Sequence, residues 1–507
     1  MLQGTASGVG KSVLTAGLVR LFARRGLVVR PFKAQNIALN AHVCEDGGEI
    51  GRAQAVQAAA AGTMPTTAMN PLLLKATGDE CQVVLRGRAL SKAGAVEFWS
   101  DRTIGWRAIT AAYDEIAQCA DLVVIEGAGS PAEPNLMERD WTNMRMAEYA
   151  GAEVLLVGDI DRGGVFAHLR GTLDWLSTED RARVVGLLIN RLRGDAAGLG
   201  PAIDALEAAS QVPVVGVVPY REHIGLPDED SLTLEERAAV PGLRAPELER
   251  RDVVWVVRLP HISNHDEFDE LVRRLGMQVR YAESPLELAD SAASQGAPGG
   301  SDHAVRRWLV LPGTKATRRD LEWLREMGWS LALEQHLADG GYVLGVCGGF
   351  QMLGGEVLDA AGVEGRPGSA RGLDLLPVDT RFEEAKRTWR ATVDGQELYQ
   401  IHHGRVQARR GAMGRPALTF ADPEGGPPIV DGWRVGRVWG TTLHGAAGRV
   451  LASAALGAGE ELDVRATSGP GAGAMGRSLD SALDDWADHL GVALDVEELL
   501  LSLGARS

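Results

Sequence analysis

Apolar residues along this chain follow two alternating rhythms. Leu14, Leu18, Leu21 and Phe22 recur at helical spacing, and the pattern stops at Gly26. Residues 27–32 then read as a strand. Short runs rich in Val, Ile and Leu follow at 121–125, 153–157, 184–189 and 214–218. Such runs suit strands covered by helices on both faces. Helical segments lie between them, so the alternation predicts a parallel α/β domain. Only Met1-Leu2-Gln3 precede Gly4, so the first strand is short or the start lies upstream. A second α/β series opens at 253–257 and continues at 278–281, 308–311 and 342–346.

Between the two series, residues 233–251 turn charged and are punctuated by Pro241 and Pro246, as an interdomain connection would be. Residues 292–301 are rich in Gly, Ala and Ser and read as a loop. Residues 468–477 are flexible in composition, and 479–503 has the periodicity of an amphipathic capping helix. The expected organisation is one α/β domain over 1–232, a linker over 233–250 and a second α/β domain over 251–450. A flexible segment and capping helices follow over 451–507. A chain of 507 residues exceeds one ordinary core, which agrees.

Two Gly-rich loops carry the chemistry. The first runs Gly4-Thr5-Ala6-Ser7-Gly8-Val9-Gly10-Lys11-Ser12. The common phosphate loop places four residues between its first Gly and the Gly-Lys pair. Here five residues separate Gly4 from Gly10, a spacing that resembles dethiobiotin synthetase-like enzymes. The physics survives the change. Backbone N–H groups of Thr5, Gly8 and Gly10 face a concavity, the helix start adds its dipole, and Lys11 adds a mobile charge. Ser12 suits Mg²⁺ beside the β- and γ-phosphates of ATP. Glu126 ends a strand where open α/β sheets bind ligands, and is a candidate second oxygen ligand. Glu49, in Gly48-Glu49-Ile50-Gly51-Arg52, is another. Lys33 could neutralise phosphate charge. Asp140 lies just before the strand at 153–157, and Asp159, Asp161 and Arg162 just after it. They suit a site that handles a carboxylate substrate with ATP and metal.

The second loop is Leu344-Gly345-Val346-Cys347-Gly348-Gly349-Phe350-Gln351. A Cys between an apolar strand and a Gly-rich helix start matches a nucleophile elbow, and the helix N-terminus favours thiolate. The nucleophile needs a base. His444 closes a late strand and is the best candidate, with His402 and His403 as rivals. Gly313 and Gly348 could donate N–H groups to an oxyanion. Gln351, one helical turn past Cys347, could bind glutamine. A phosphate loop joined to a cysteine elbow suggests ATP-driven amide formation with nitrogen from glutamine.

Bulk composition narrows the field further. Net charge is −16 with a pI near 5.3, and no basic stretch offsets it, which weighs against nucleic acid. Cys44, Cys81, Cys119 and Cys347 show neither metal nor disulfide spacing. No apolar run reaches the ~20 residues that span a bilayer, and no leader is expected ahead of a loop beginning at residue 4. A reducing cytoplasm fits these features. Oligomeric state is left open.

Taken together, the chain resembles the cobyric acid synthase family, glutamine-dependent amidotransferases of cobalamin biosynthesis. The resemblance rests on segments 2–5, 31–36, 48–54, 126–131 and 158–164 in the first half. In the second half it rests on 259–260, 262–264, 311–315, 345–354, 401–405 and 440–445. It implies an N-terminal dethiobiotin synthetase-like domain followed by a class I-like glutamine amidotransferase domain. It also implies amidation of the b, d, e and g carboxylates of a corrinoid, adenosylcobyrinic acid a,c-diamide. Cys347 would be the nucleophile and His444 its base. Class I glutaminases usually place Glu two residues after that His, where this chain has Ala446. The imidazole's orienting group is then a backbone carbonyl, a distant carboxylate, or nothing. Two rivals are a cobyrinic acid a,c-diamide synthase and a ParA-like regulatory ATPase with an inactive glutaminase domain.

Overall fold

The computed structural model describes residues 1–77, 80–222, 224–227, 253–268, 271, 277–288, 307–393, 396–420, 426–455, 479–497 and 499. The expected linker over 233–250, the loop at 292–301 and the flexible run at 468–477 lie outside them.

The first rhythm forms helix Lys11–Arg24, whose buried face includes Leu14, Leu18, Leu21 and Phe22. The apolar runs form parallel strands in the spatial order Leu2–Gly4, Val154–Asp159, Val184–Leu192, Val214–Pro219. On the other side of Leu2–Gly4 lie Leu122–Ile125 and then Val29–Phe32, also parallel. A bridge from Leu2 to Glu126 joins the two parts. The phosphate loop therefore leaves the middle of the sheet, with Glu126 beside it. A smaller sheet of Gln35–Ile37, Leu72–Thr77, Glu80–Leu85 and Arg88–Ala89 was not foreseen. Its strands are too short, or too mixed in composition, to stand out as apolar runs.

The second domain has six strands in the order Gln278–Ala282, Val253–Val257, Arg307–Leu311, Tyr342–Val346, Val438–Thr441, Trp433–Val435. All neighbours are parallel except the last pair. Trp308 and Trp329 are fully buried in its core. A long antiparallel hairpin, Val378–Val393 with Gln396–Ala408, packs over the domain.

Helix Leu479–Ala493 returns to the first domain and lies on helix Lys11–Arg24. A methyl group on Gly17 would stand 2.3 Å from Leu490 Cδ1, so the two helices approach closely only because residue 17 has no side chain. Trp486 is buried there, and its indole donates to Val13 O at 2.7 Å. Arg20 pairs with Asp484 through two hydrogen bonds at the rim. Within the capping stretch expected over 479–503, this helix ends early. It stops at Ala493, and Leu494 then bridges to Gly216 on the edge strand. The buried apolar residues continue past the break through Val496 and Leu499, which is why periodicity alone did not reveal it. No helix among the described residues is long and apolar enough to cross a membrane.

Trp486→Ala should destabilise the first domain by about 3–5 kcal/mol, the usual cost of emptying a large aromatic site. The measurement is the denaturant midpoint of the transition that also loses nucleotide binding. A loss under about 1 kcal/mol would show that the last helix does not belong to this core.

Candidate functional site

Two centres emerge, one in each domain. In the first, Gly10 takes the left-handed conformation (φ 94°) and caps helix Lys11–Arg24. Thr5 N–H is fixed to Val157 O at 2.9 Å, which ties the loop to the neighbouring strand. Lys11 Nζ donates to Ala6 O and Gly129 O at 2.9 and 3.0 Å, at the mouth of the loop. Ser12 Oγ donates to Glu126 Oε1 at 2.7 Å, and Lys33 Nζ donates to the same oxygen at 2.8 Å. Gln57 Nε2 donates to Glu126 Oε2 at 2.6 Å. Glu126 is 1% exposed. A hydroxyl and a carboxylate at contact distance, beside a phosphate loop, are the hard oxygen donors that Mg²⁺ takes together with phosphates and water. The residues fit that ion.

Not every expected residue joins this cluster. Glu49 is buried between two lysines, with Lys75 at 2.6 Å and Lys386 of the second domain at 2.5 Å. Its reading as a magnesium ligand is corrected, since both oxygens are committed to ammonium groups. Burial works against its charge, yet Lys386 and Lys75 pull its carboxyl down to about 2. Asp140 accepts from Thr142 N, Thr142 Oγ1 and Asn143 Nδ2 at 2.6–2.7 Å. Asn143 in turn brackets Ala128 through both amide atoms. Asp140, expected at the substrate site, thus braces the loop after Glu126. Asp161 is likewise taken by Arg193, in a bidentate pair at 2.6 and 3.1 Å. Asp159 sits between Arg191 at 2.9 Å and Arg162 at 3.7 Å. Arg162 is largely exposed and faces Gly8 of the phosphate loop, so a cationic side chain does stand at that mouth.

The second centre is built by strand register. Strands Tyr342–Val346 and Val438–Thr441 run side by side, with Val346 opposite Thr441. Their ends therefore deliver Cys347 and His444 to one place. Cys347 N donates to Thr441 O at 2.8 Å. Cys347 has φ 50° and ψ −108°, a conformation that costs about 1–3 kcal/mol in a non-glycine residue. The sharp turn needs small neighbours. A methyl group on Gly349 would fall 1.9 Å from Leu311 O. Gly348 opens the following helix, so its N–H is one of the donors a first turn leaves for a ligand. Gly313 lies against the imidazole of His444. Gln351 Oε1 accepts from Thr317 Oγ1 at 3.3 Å.

His444 is fully buried and lines the same pocket as Cys347. Its Nδ1 meets Glu267 Oε1 at 2.7 Å. Glu267 Oε2 accepts from Gly445 N at 3.1 Å, which fixes the carboxylate on both sides. Tyr399 stacks on the imidazole with centroids 5.0 Å apart and planes 19° from parallel. Burial opposes charge on His444, but Glu267 and Cys347 together raise it to about 10. Of the three orienting groups left open for the imidazole, the structure supplies the distant carboxylate. Glu267 was missed because nothing local marks it: it lies 177 residues from its partner. The rivals His402 and His403 are held neutral by burial, at about 4 and about 3. His402 Nδ1 is occupied by Gly404 O and His403 Nδ1 by Glu383 O.

The pocket around Cys347 and His444 is also lined by Gln351, Glu364, Lys315 and Lys386, and by Leu39 and Lys75 of the first domain. Glu364 was another residue without a local signature. Burial pushes its carboxyl up to about 7 against the pull of Lys315.

Comparisons with known proteins agree with this division. Residues 1–234 match a family described as the CobQ/CobB/MinD/ParA nucleotide binding domain. Residues 253–450 match the CobB/CobQ-like glutamine amidotransferase domain. A cobyric acid synthase of Chloroflexus aurantiacus is 43% identical over 461 residues, covering 88% of each chain. One from Chloroflexus aggregans is 44% identical over 459 residues, again covering 88% of each. One from Sorangium cellulosum is 45% identical over 475 residues, covering 88% of this chain and 87% of the relative. With two domain matches in the order of the two centres, and relatives alike along most of its length, the chain belongs to the cobyric acid synthase family.

Proposed function

We propose that this chain amidates the b, d, e and g carboxylates of adenosylcobyrinic acid a,c-diamide, consuming ATP and glutamine and yielding adenosylcobyric acid. The observation that carries the reading is the coexistence of two assembled centres, Ser12–Glu126–Lys33 at a phosphate loop and Cys347–His444–Glu267 at an elbow. An intact nucleophile, base and orienting carboxylate do not suit an ATPase with a dead glutaminase domain.

Each step has a residue to perform it. A carboxylate resists amines, so it is first activated by transfer of the γ-phosphoryl group, giving an acyl phosphate and ADP. Lys11 and Lys33 balance the phosphate charge, and the backbone N–H groups of Gly8 and Gly10 hold the oxygens, the Thr5 N–H expected beside them being spent on Val157 O. Ser12 and Glu126 would hold Mg²⁺, which neutralises charge on the β- and γ-phosphates when bound. Asp159 and Arg162 stand at the mouth where the acid arrives. In the other domain, Cys347 Sγ attacks the side-chain amide carbon of glutamine. His444 takes the thiol proton and returns it to the departing nitrogen. Gly313 and Gly348 N–H groups face the oxyanion, and Gln351 holds the substrate chain. Glu364 and Lys315 are placed for the ammonium and carboxylate ends of glutamine. Ammonia leaves, and water then cleaves the glutamyl thioester to glutamate.

Ammonia is protonated in water near neutral pH and stops being a nucleophile. Leu39 and Lys75 of the first domain close one wall of the glutaminase pocket, so the nitrogen is released against the synthetase domain rather than into open solvent.

Cys347→Ser should abolish glutamine-driven amidation while ammonium at high pH restores it, scored by counting added amides by mass. Absence of rescue would overturn the assignment of two separable centres. Glu267→Gln should lower kcat for glutamine hydrolysis by about 10²–10⁴-fold, by analogy with loss of the orienting carboxylate in other triads. KM should stay within a few-fold, and Glu267→Asp should recover part of the rate. An unchanged kcat in Glu267→Gln would remove Glu267 from the mechanism.

A further inference from the structure

One short segment, residues 262–268, touches both nitrogens of the catalytic imidazole. Glu267 meets Nδ1 at 2.7 Å, and Asn264 Nδ2 lies 3.4 Å from Nε2. The same segment is gripped from the other domain at three consecutive residues. Asn264 N donates to Asn40 Oδ1 at 2.6 Å, and Ala41 N donates to Asn264 Oδ1 at 2.9 Å, a reciprocal clamp. Asn40 Nδ2 also lies 3.3 Å from His265 Nε2. Asp266 Oδ2 pairs with Arg52 Nε at 2.8 Å, and Asp266 is 4% exposed. Asn264 is held at φ 54°, a conformation a short polar side chain tolerates when its amide is bonded.

Arg52 is the first residue of helix Arg52–Ala60. Two later residues of that nine-residue helix, Gln54 and Gln57, donate to Glu126 at 3.5 and 2.6 Å. Glu126 is the carboxylate that accepts from Ser12 at the phosphate loop. One rigid turn-and-a-half of helix therefore contacts the nucleotide centre along its body and the glutaminase segment at its start.

We propose that Arg52 and Asn40, residues of the nucleotide-binding domain, are positioning residues for glutamine hydrolysis. They act through Asp266 and Asn264 to set Glu267 against His444, so the glutaminase is competent only while the synthetase domain holds this segment. The inference rests on the reading of Cys347 and His444 as the glutaminase centre.

The test uses the full chain. Arg52→Met should lower kcat for glutamine hydrolysis about 10- to 100-fold, the scale of a small misplacement of a catalytic group, with KM for glutamine within about threefold. Ammonium-driven amidation at high pH should stay at the parent rate. The charge-swapped pair Arg52→Asp with Asp266→Arg should recover part of the lost kcat. In a Glu267→Gln background, Arg52→Met should add little, because its effect passes through that carboxylate. Asn40→Ala should repeat the pattern of Arg52→Met, which guards against one variant that folds poorly. Equal loss of ammonium-driven and glutamine-driven rates would overturn the inference and place Arg52 in the synthetase site. Full additivity with Glu267→Gln would overturn it as well. A parent enzyme that never hydrolyses glutamine would instead overturn the functional reading beneath it.

Discussion

The buried pair of Glu267 and His444 is the constraint on which the rest of the second domain depends. Both side chains are almost wholly shut from water, at 4% and 1% exposure. Charges so placed are costly unless their geometry is fixed on every side. The fold meets that demand from several directions. Gly445 N holds the far oxygen of Glu267, Tyr399 covers the imidazole face, and Tyr399 exchanges backbone hydrogen bonds with His444. Asp431 holds both hydroxyls of Thr441 and Thr442, just before the histidine. Removing either partner would leave an uncompensated buried charge, which is a larger loss than the pair itself is worth. The long hairpin, through Tyr399, therefore helps to fix the imidazole, although it contributes no group to the pair itself.

The first domain is closed by a segment from the opposite end of the chain. Helix Leu479–Ala493 covers helix Lys11–Arg24, whose N-terminus forms the phosphate loop. In spatial terms the glutaminase domain is inserted between the nucleotide-binding domain and helix Leu479–Ala493. An insertion of that kind has both of its ends anchored in the same neighbour.

Much of this was legible along the chain. The parallel strands of both domains fall where the apolar runs lie, because buried strands leave no room for polar residues. Lys11, Ser12 and Glu126 come together as expected, and so do Cys347 and His444, since strand ends in one sheet must meet at one edge. What escaped was pairing over distance. Glu267 carries no local pattern that separates it from a surface glutamate, and Glu49 carries one that suggests a metal. Whether a carboxylate faces a cation, a hydroxyl or an imidazole is decided by register and packing, which a linear pattern does not encode. Asp140 and Asp161 illustrate the same limit. Each sits at a strand mouth as a ligand would, yet each is consumed by local bracing.

Glu49 shows what buried polar pairs add to an interface that also holds an apolar cluster of Leu73, Val84, Tyr399 and Ile401. Lys75 reaches it from the first domain and Lys386 from the hairpin of the second. Burial, with repulsion from Lys386 and Lys315, drives Lys75 down to about 7 in spite of its carboxylate partner. A greasy contact would hold the domains together as well, because hydrophobic burial is indifferent to direction. A carboxylate shared by two ammonium groups is not indifferent. It fixes where residue 386 stands relative to residue 75, and with them two walls of the pocket that contains Cys347. The Asn40–Asn264 clamp does the same for the imidazole side. The domains are thus joined by directional contacts at the points where alignment of the two chemistries is needed.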